Sequence, residues 1–198
     1  MEKPTCRVEN IVATIDLGVN LDLEYLAGSL PGVDYDANRF PGLVLRLRNP
    51  RVAFLLFRTG KVVYTGSKSM RQVATGVGTL VSMLRSRGVS VPGSPTPRVE
   101  NVVATCDLHA MVNVEKAVFL LGSAFYDPEV FPGLVYSDFG VTFLIFYSGR
   151  VIVTGAKNER QVVEVANRLF DLLRGLGVLY VPEFGASEAE GEGGFVEA

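Results

Sequence analysis

The 198-residue sequence holds one histidine, His109, and two cysteines, Cys6 and Cys106. No CxxC pair occurs, and His109 alone could join a soft-metal site, so no structural zinc site is expected. The two cysteines stand at unrelated places in the pattern described next, so a disulfide framework is not expected either. The shortage also removes most enzyme chemistry. No Walker loop, GxSxG or HExxH occurs, and a single histidine supplies no base–nucleophile set. The expectation is no enzyme and no cofactor. No apolar run reaches the roughly 18 residues of a membrane span, and the N-terminus has no signal-peptide pattern. A soluble chain of the cytoplasm, without membrane contact, is the reading.

What the sequence has is itself, twice. Arg7-Val-Glu-Asn-Ile-Val-Ala-Thr-Ile-Asp-Leu17 returns as Arg98-Val-Glu-Asn-Val-Val-Ala-Thr-Cys-Asp-Leu108. Phe40-Pro-Gly-Leu-Val44 returns unchanged as Phe131-Pro-Gly-Leu-Val135, and Thr65-Gly-Ser-Lys68 as Thr154-Gly-Ala-Lys157. Nearly half of the aligned positions are identical, and the second copy is two residues shorter between Val135 and Val141. Two long copies do not make a solenoid; they predict one pseudo-two-fold unit. The division is a first repeat over 1–92, a stiff linker over 93–97 from Pro92-Gly-Ser-Pro-Thr-Pro97, a second repeat over 98–182, and a disordered acidic tail over 183–198.

Charge breaks this symmetry. Residues 7–88 carry 11 basic and 6 acidic side chains, residues 98–182 carry 7 and 9, and the tail adds five Glu. Halves of similar pattern and opposite sign suggest different neighbours at the two ends.

Each copy reads alike: an alternating β-branched run (7–17, 98–108), a short helix (21–30, 112–122), three strands (41–48, 51–58 and 61–66; 132–137, 140–147 and 150–155), then a long amphipathic helix capped by Ser69 or Asn158. Strands cluster and helices are few, which indicates an α+β fold with helices on one face of an antiparallel sheet. The other face would be a large exposed apolar surface rich in Val, Leu, Phe, Asn and Thr, and such a surface marks an interaction site.

These doubled segments, with the Phe-x-x-Gly-Lys/Arg-x-x-x-Thr-Gly-x-Lys strands, resemble the TATA-box-binding proteins of archaeal type over residues 5–182. The resemblance implies a pseudo-two-fold saddle: one curved, antiparallel, ten-stranded sheet with four helices on the convex face. It implies a general initiation factor that binds the minor groove of TATA-box DNA, bends it, and recruits a transcription factor B homologue and, indirectly, RNA polymerase. Minor-groove bending by this family is a standard case of its kind. The rival reading is a saddle-fold protein–protein adaptor without DNA binding.

Residue by residue, the resemblance gives Asn10, Asn101, Thr65 and Thr154 the hydrogen bonds to base edges. Val12, Leu55, Val63, Val103, Leu144 and Ile152 form a floor that rejects the guanine amino group. Phe40, Phe57, Phe131 and Phe146 are the wedges, whereas Phe54 and Phe143, on the opposite strand parity, are core. Arg46, Arg48, Arg51, Lys61, Lys68, Arg150 and Lys157 would meet phosphate, which positions without specifying. Asp127, Glu129 and Val130 match the surface offered to transcription factor B. The second copy departs from the pattern at Tyr136-Ser-Asp-Phe-Gly140, where Ser137 stands in place of Arg46 and no basic residue remains. An apolar concave face leaves self-association of the free protein open.

Overall fold

The computed structural model describes residues 2–181, so the acidic tail lies outside the described residues. The first repeat runs β1 (Thr5–Asp16), α1 (Leu23–Ser29), β2 (Val33–Asp34), β3 (Gly42–Arg48), β4 (Arg51–Phe57), β5 (Lys61–Ser67) and α2 (Met70–Ser86). The second runs β6 (Arg98–Asp107), β7 (Met111–Val112), α3 (Val114–Leu120), β8 (Phe125–Asp127), β9 (Phe131–Asp138), β10 (Val141–Ile145), β11 (Arg150–Ala156), α4 (Glu159–Gly175) and β12 (Leu179–Tyr180). Ten strands form one sheet in the order β2-β3-β4-β5-β1-β6-β11-β10-β9-β8, with every pairing antiparallel. The order is a palindrome of the two repeats about the β1–β6 seam. β7 and β12 pair separately.

Strand parity decides which face is buried. Ile11, Ala13 and Ile15 of β1, Phe54 and Leu56 of β4, Val102 and Ala104 of β6, and Phe143 and Ile145 of β10 are sealed in the core. Helix α2 turns Val73, Val77, Leu80 and Leu84 onto this face; α4 turns Val162, Ala166, Leu169 and Leu173. Each helix is started by a side chain that accepts an otherwise unpaired first-turn N–H: Asp22 from Tyr25, Ser69 from Gln72, Asn113 from Lys116 and Asn158 from Gln161. Gly76, costly inside a helix, is required because a Cβ there would stand 2.7 Å from the buried Tyr64 ring. Nothing lies within 4 Å of a Cβ at Gly78, and the structure gives no reason for it.

Two expectations need correction. The short helices are tighter than the sequence pattern suggests, because Asp22 and Asn113 fix their starts. More important, Cys6 and Cys106 are joined by a disulfide. They fall at unrelated positions of the repeat, yet β1 and β6 run antiparallel across the seam and bring Cys6 opposite Cys106. Their counterparts in the repeat, Pro97 and Ile15, mark the other end of the same seam.

Candidate nucleic-acid interface

The sheet face away from the helices carries the other strand parity. Asn10, Val12, Leu55, Val63, Thr65, Asn101, Val103, Leu144, Ile152 and Thr154 all lie on it half-buried. The structure brings together all ten candidates for base contact.

The polar members form two copies of one device. Asn10 Oδ1 accepts the backbone N–H of Gly66 at 2.9 Å, and Asn10 Nδ2 donates to Thr65 Oγ1 at 2.9 Å. Asn101 Oδ1 accepts from Gly155 N at 2.7 Å, and Asn101 Nδ2 donates to Thr154 Oγ1 at 3.2 Å. A backbone N–H can only donate, so it fixes which end of each amide is oxygen. The NH2 group of each asparagine keeps a second hydrogen for the open face. Thr65 Oγ1 donates in return to Asn10 Oδ1 at 3.3 Å, whereas the Thr154 hydroxyl, having accepted, has its own hydrogen to give. Each device therefore offers an amide donor, and the second offers a hydroxyl as well. Gly66 and Gly155 make this possible at φ +110° and +100°, where L side chains are strained. Both sit at a bulge that breaks the register with β1 or β6.

The four phenylalanines form two edge-on pairs. Phe40 and Phe57 have ring centroids 5.9 Å apart, and Phe131 and Phe146 are 5.8 Å apart, each pair at 65°. The Phe-Pro-Gly motif explains the packing: a Cβ on Gly42 would lie 2.6 Å from the Phe40 ring and 3.1 Å from that of Phe57, and Gly133 repeats these distances. All four rings stay half-exposed, while Phe54 and Phe143 are fully buried. Apolar rings supported from behind and open in front are fit to be wedges.

The basic residues divide. Lys61 pairs with Asp16, Lys68 Nζ donates to Glu9 at 2.9 Å, and Lys157 Nζ donates to the Glu100 carbonyl at 2.6 Å. Among the described residues, Arg46, Arg48, Arg51 and Arg150 have no acidic partner.

Sequence reasoning missed Glu9 and Glu100, though each precedes its asparagine in the doubled Val-Glu-Asn. Glu100 accepts from Thr14 Oγ1 at 2.7 Å and from Arg98 Nε at 2.8 Å; Glu9 holds Lys68 and Arg7. These hydrogen bonds hold both carboxyls below the usual range, Lys68 leading at Glu9 and Thr14 at Glu100.

At the outer end of the second repeat, Asp127 Oδ1 accepts from Glu129 N at 3.1 Å, and the turn leaves Val130 79% exposed. Around it the sequence reading missed an apolar set: Phe119 (85% exposed), Phe125 (63%) and Tyr147 (60%). Aligning the copies would have found them. Their first-repeat counterparts are Gly28, Asp34 and Arg58, and Val130 matches Arg39. There, Asp34 pairs with Arg39 at 3.6 Å and Arg58 pairs with Glu24.

His109 serves the backbone. It takes φ 51° where Gly18 takes 66°, and its Nε2 lies 3.1 Å from Thr5 Oγ1. Among the described residues no three His, Cys, Asp or Glu gather as metal ligands, and no helix is long and apolar enough to cross a membrane.

The profile of a family described as "Transcription factor TFIID (or TATA-binding protein, TBP)" matches residues 5–87 and 96–176. The sequence is 50% identical over 189 residues to a TATA-box-binding protein of Pyrobaculum islandicum, covering 94% of this chain and 95% of that one. It is 42% identical over 173 residues to one of Sulfolobus acidocaldarius, covering 86% and 88%. The solved structure of Methanococcus jannaschii TBP superposes with a TM-score of 0.82 at 36% identity, over 86% of this chain and 98% of that chain.

Proposed function

The chain belongs to the TATA-binding protein family, transcription factors rather than enzymes, and from that premise we propose that its helix-free face binds the minor groove of TATA-box DNA. The observation that carries the proposal is the pair of Asn–Thr–Gly devices. The minor groove offers acceptors at every base pair, and guanine adds a donor. A face that presents donors set in an aliphatic floor therefore accepts A·T pairs and rejects G·C. Phe40 with Phe57 and Phe131 with Phe146 enter base steps at the two ends and bend the duplex; the wrapped surface offsets the unstacking. Repeats 1–92 and 98–182, joined over 93–97, act as one unit on one site, in the nucleoid of the cytoplasm.

The outer end of the second repeat recruits a transcription factor B homologue and, through it, RNA polymerase. Asp127, Glu129 and Val130 form this surface, enlarged by Phe125 and Tyr147. Exposed aromatics with a polar rim are the composition of a protein-binding patch.

Asn10→Ala with Asn101→Ala should weaken binding to a TATA duplex far more than binding to a random duplex, by about 1–3 kcal/mol per contact. Equal loss on both duplexes in a titration by fluorescence anisotropy would remove the readout role. Glu129→Arg should leave that binary binding intact and abolish the ternary complex with a factor B homologue; an unchanged ternary shift would reject the patch.

A further inference from the structure

The tips of the two long hairpins are equivalent in topology and opposite in charge. In the first repeat Arg46, Arg48 and Arg51 line an open cleft of about 940 Å3 that reaches Thr65 and Gly66. In the second repeat the equivalent cleft, about 400 Å3, runs from Thr154 and Gly155 to Ser137 and Asp138. Both clefts thus lead from a readout threonine to the edge of the interface.

The second tip has no basic residue of its own hairpin. Asp138 accepts from the Tyr136 hydroxyl at 2.7 Å and from Phe139 N at 2.6 Å, which fixes an ionised carboxylate at the turn. Arg168, from α4, is held over the Phe139 ring, with its Cζ 4.0 Å from the ring centroid. The ladder is also shorter, from Ile145 opposite Leu134 to Val141 opposite Asp138, whereas β3 and β4 pair from Gly42 opposite Phe57 to Arg48 opposite Arg51.

We propose that this charge difference gives the complex an intrinsic direction: the first repeat, through Arg46, Arg48 and Arg51, is the half that grips backbone phosphate, and the second repeat turns toward whichever half of the site has less backbone charge. The inference rests on the DNA-binding reading above and adds to it. Base reading on this face is two-fold, so on a palindromic site it cannot choose an orientation. Charge can, because each gripped phosphate releases counterions and its contribution grows as salt falls. In a cell, a half with less backbone charge is one whose flank is already neutralised by a bound cationic protein. The second repeat would face that neighbour, and the apolar and acidic patch of Phe125, Asp127, Glu129 and Tyr147 belongs to that same repeat.

The test uses a palindromic A/T-rich duplex in which methylphosphonates neutralise the backbone of one half. With the native cysteines oxidised, Ser82→Cys on α2 accepts a single acceptor dye, and a donor on the neutral end of the duplex reports orientation by energy transfer. The expected result is a bound population with the first repeat on the charged half. That bias should shrink about eightfold per gripped phosphate over a tenfold rise in salt. Arg46→Ala with Arg48→Ala and Arg51→Ala should bring the ratio close to one, and Ser137→Arg with Asp138→Asn, which narrows the charge difference between the tips, should reduce the bias. A bound complex with an even ratio at every salt concentration would overturn the inference and leave the function standing. No binding to the unmodified palindrome would overturn the function, and this inference with it.

Discussion

The first and second repeats agree on the helix-free face and in the core, and disagree at the rim. The Asn–Thr–Gly devices and the Phe–Gly–Phe pairs match to within a few tenths of an ångström in most contacts. The hairpin tips have opposite charge, the outer ends exchange ion pairs for exposed aromatics, and only one end of the seam is cross-linked. The near-dyad of a duplex demands two-fold equivalence from groups that touch it. Nothing demands it from the rim, so the rim can acquire direction.

The largest expected effect breaks the comparison at the seam. The disulfide closes a separation of 100 residues, for which the chain-entropy model gives ~4–5 kcal/mol. Reducing the native protein with a dithiol should lower its melting midpoint by roughly 10 °C, read by calorimetry with and without reductant. An unchanged midpoint would show that the packed β1–β6 ladder holds the seam unaided.

Next come the wedges, which should behave as equals. Replacing Phe40 and Phe57 with Ala, or Phe131 and Phe146, removes unstacking worth about a few kcal/mol per step and the wrapped surface it permits. Either double variant should lose about half of the bend in end-to-end energy transfer. A loss confined to one pair would extend the asymmetry of the rim into the interface.

The smallest effect concerns the tips. Arg46→Ala with Arg51→Ala should lower the slope of log affinity against log salt by about 1.8, and Ser137→Ala should leave it alone. Binding isotherms over a salt series would decide, and identical slopes in the arginine variant and the parent would deny these residues phosphate contact.

Much of this was legible in the sequence because the duplication doubles the signal. Strand parity assigned Phe54 and Phe143 to the core and Phe57 and Phe146 to the open face, and side-chain period in a strand leaves little freedom there. The cysteine pair was not legible: antiparallel pairing across the seam joins positions that the repeat alignment keeps apart. Nor was the pairing of Lys61, Lys68 and Lys157, since long side chains choose partners in three dimensions. Burial first, and then its bond to Asp138, together push the Tyr136 phenol up to about 12; that lock at the second tip became visible only once the hairpin closed.

The central claim is that two donor devices in an aliphatic floor read the minor groove. One measurement tests it most directly: affinity for three duplexes that differ at a single central pair, A·T, inosine·cytosine or G·C. Inosine·cytosine presents the major groove of G·C without the guanine amino group in the minor groove. The account predicts that inosine·cytosine binds within about twofold of A·T, while G·C loses about 1–3 kcal/mol. Equal weakness of inosine·cytosine and G·C would mean that the chain does not read the minor groove, and would contradict the account.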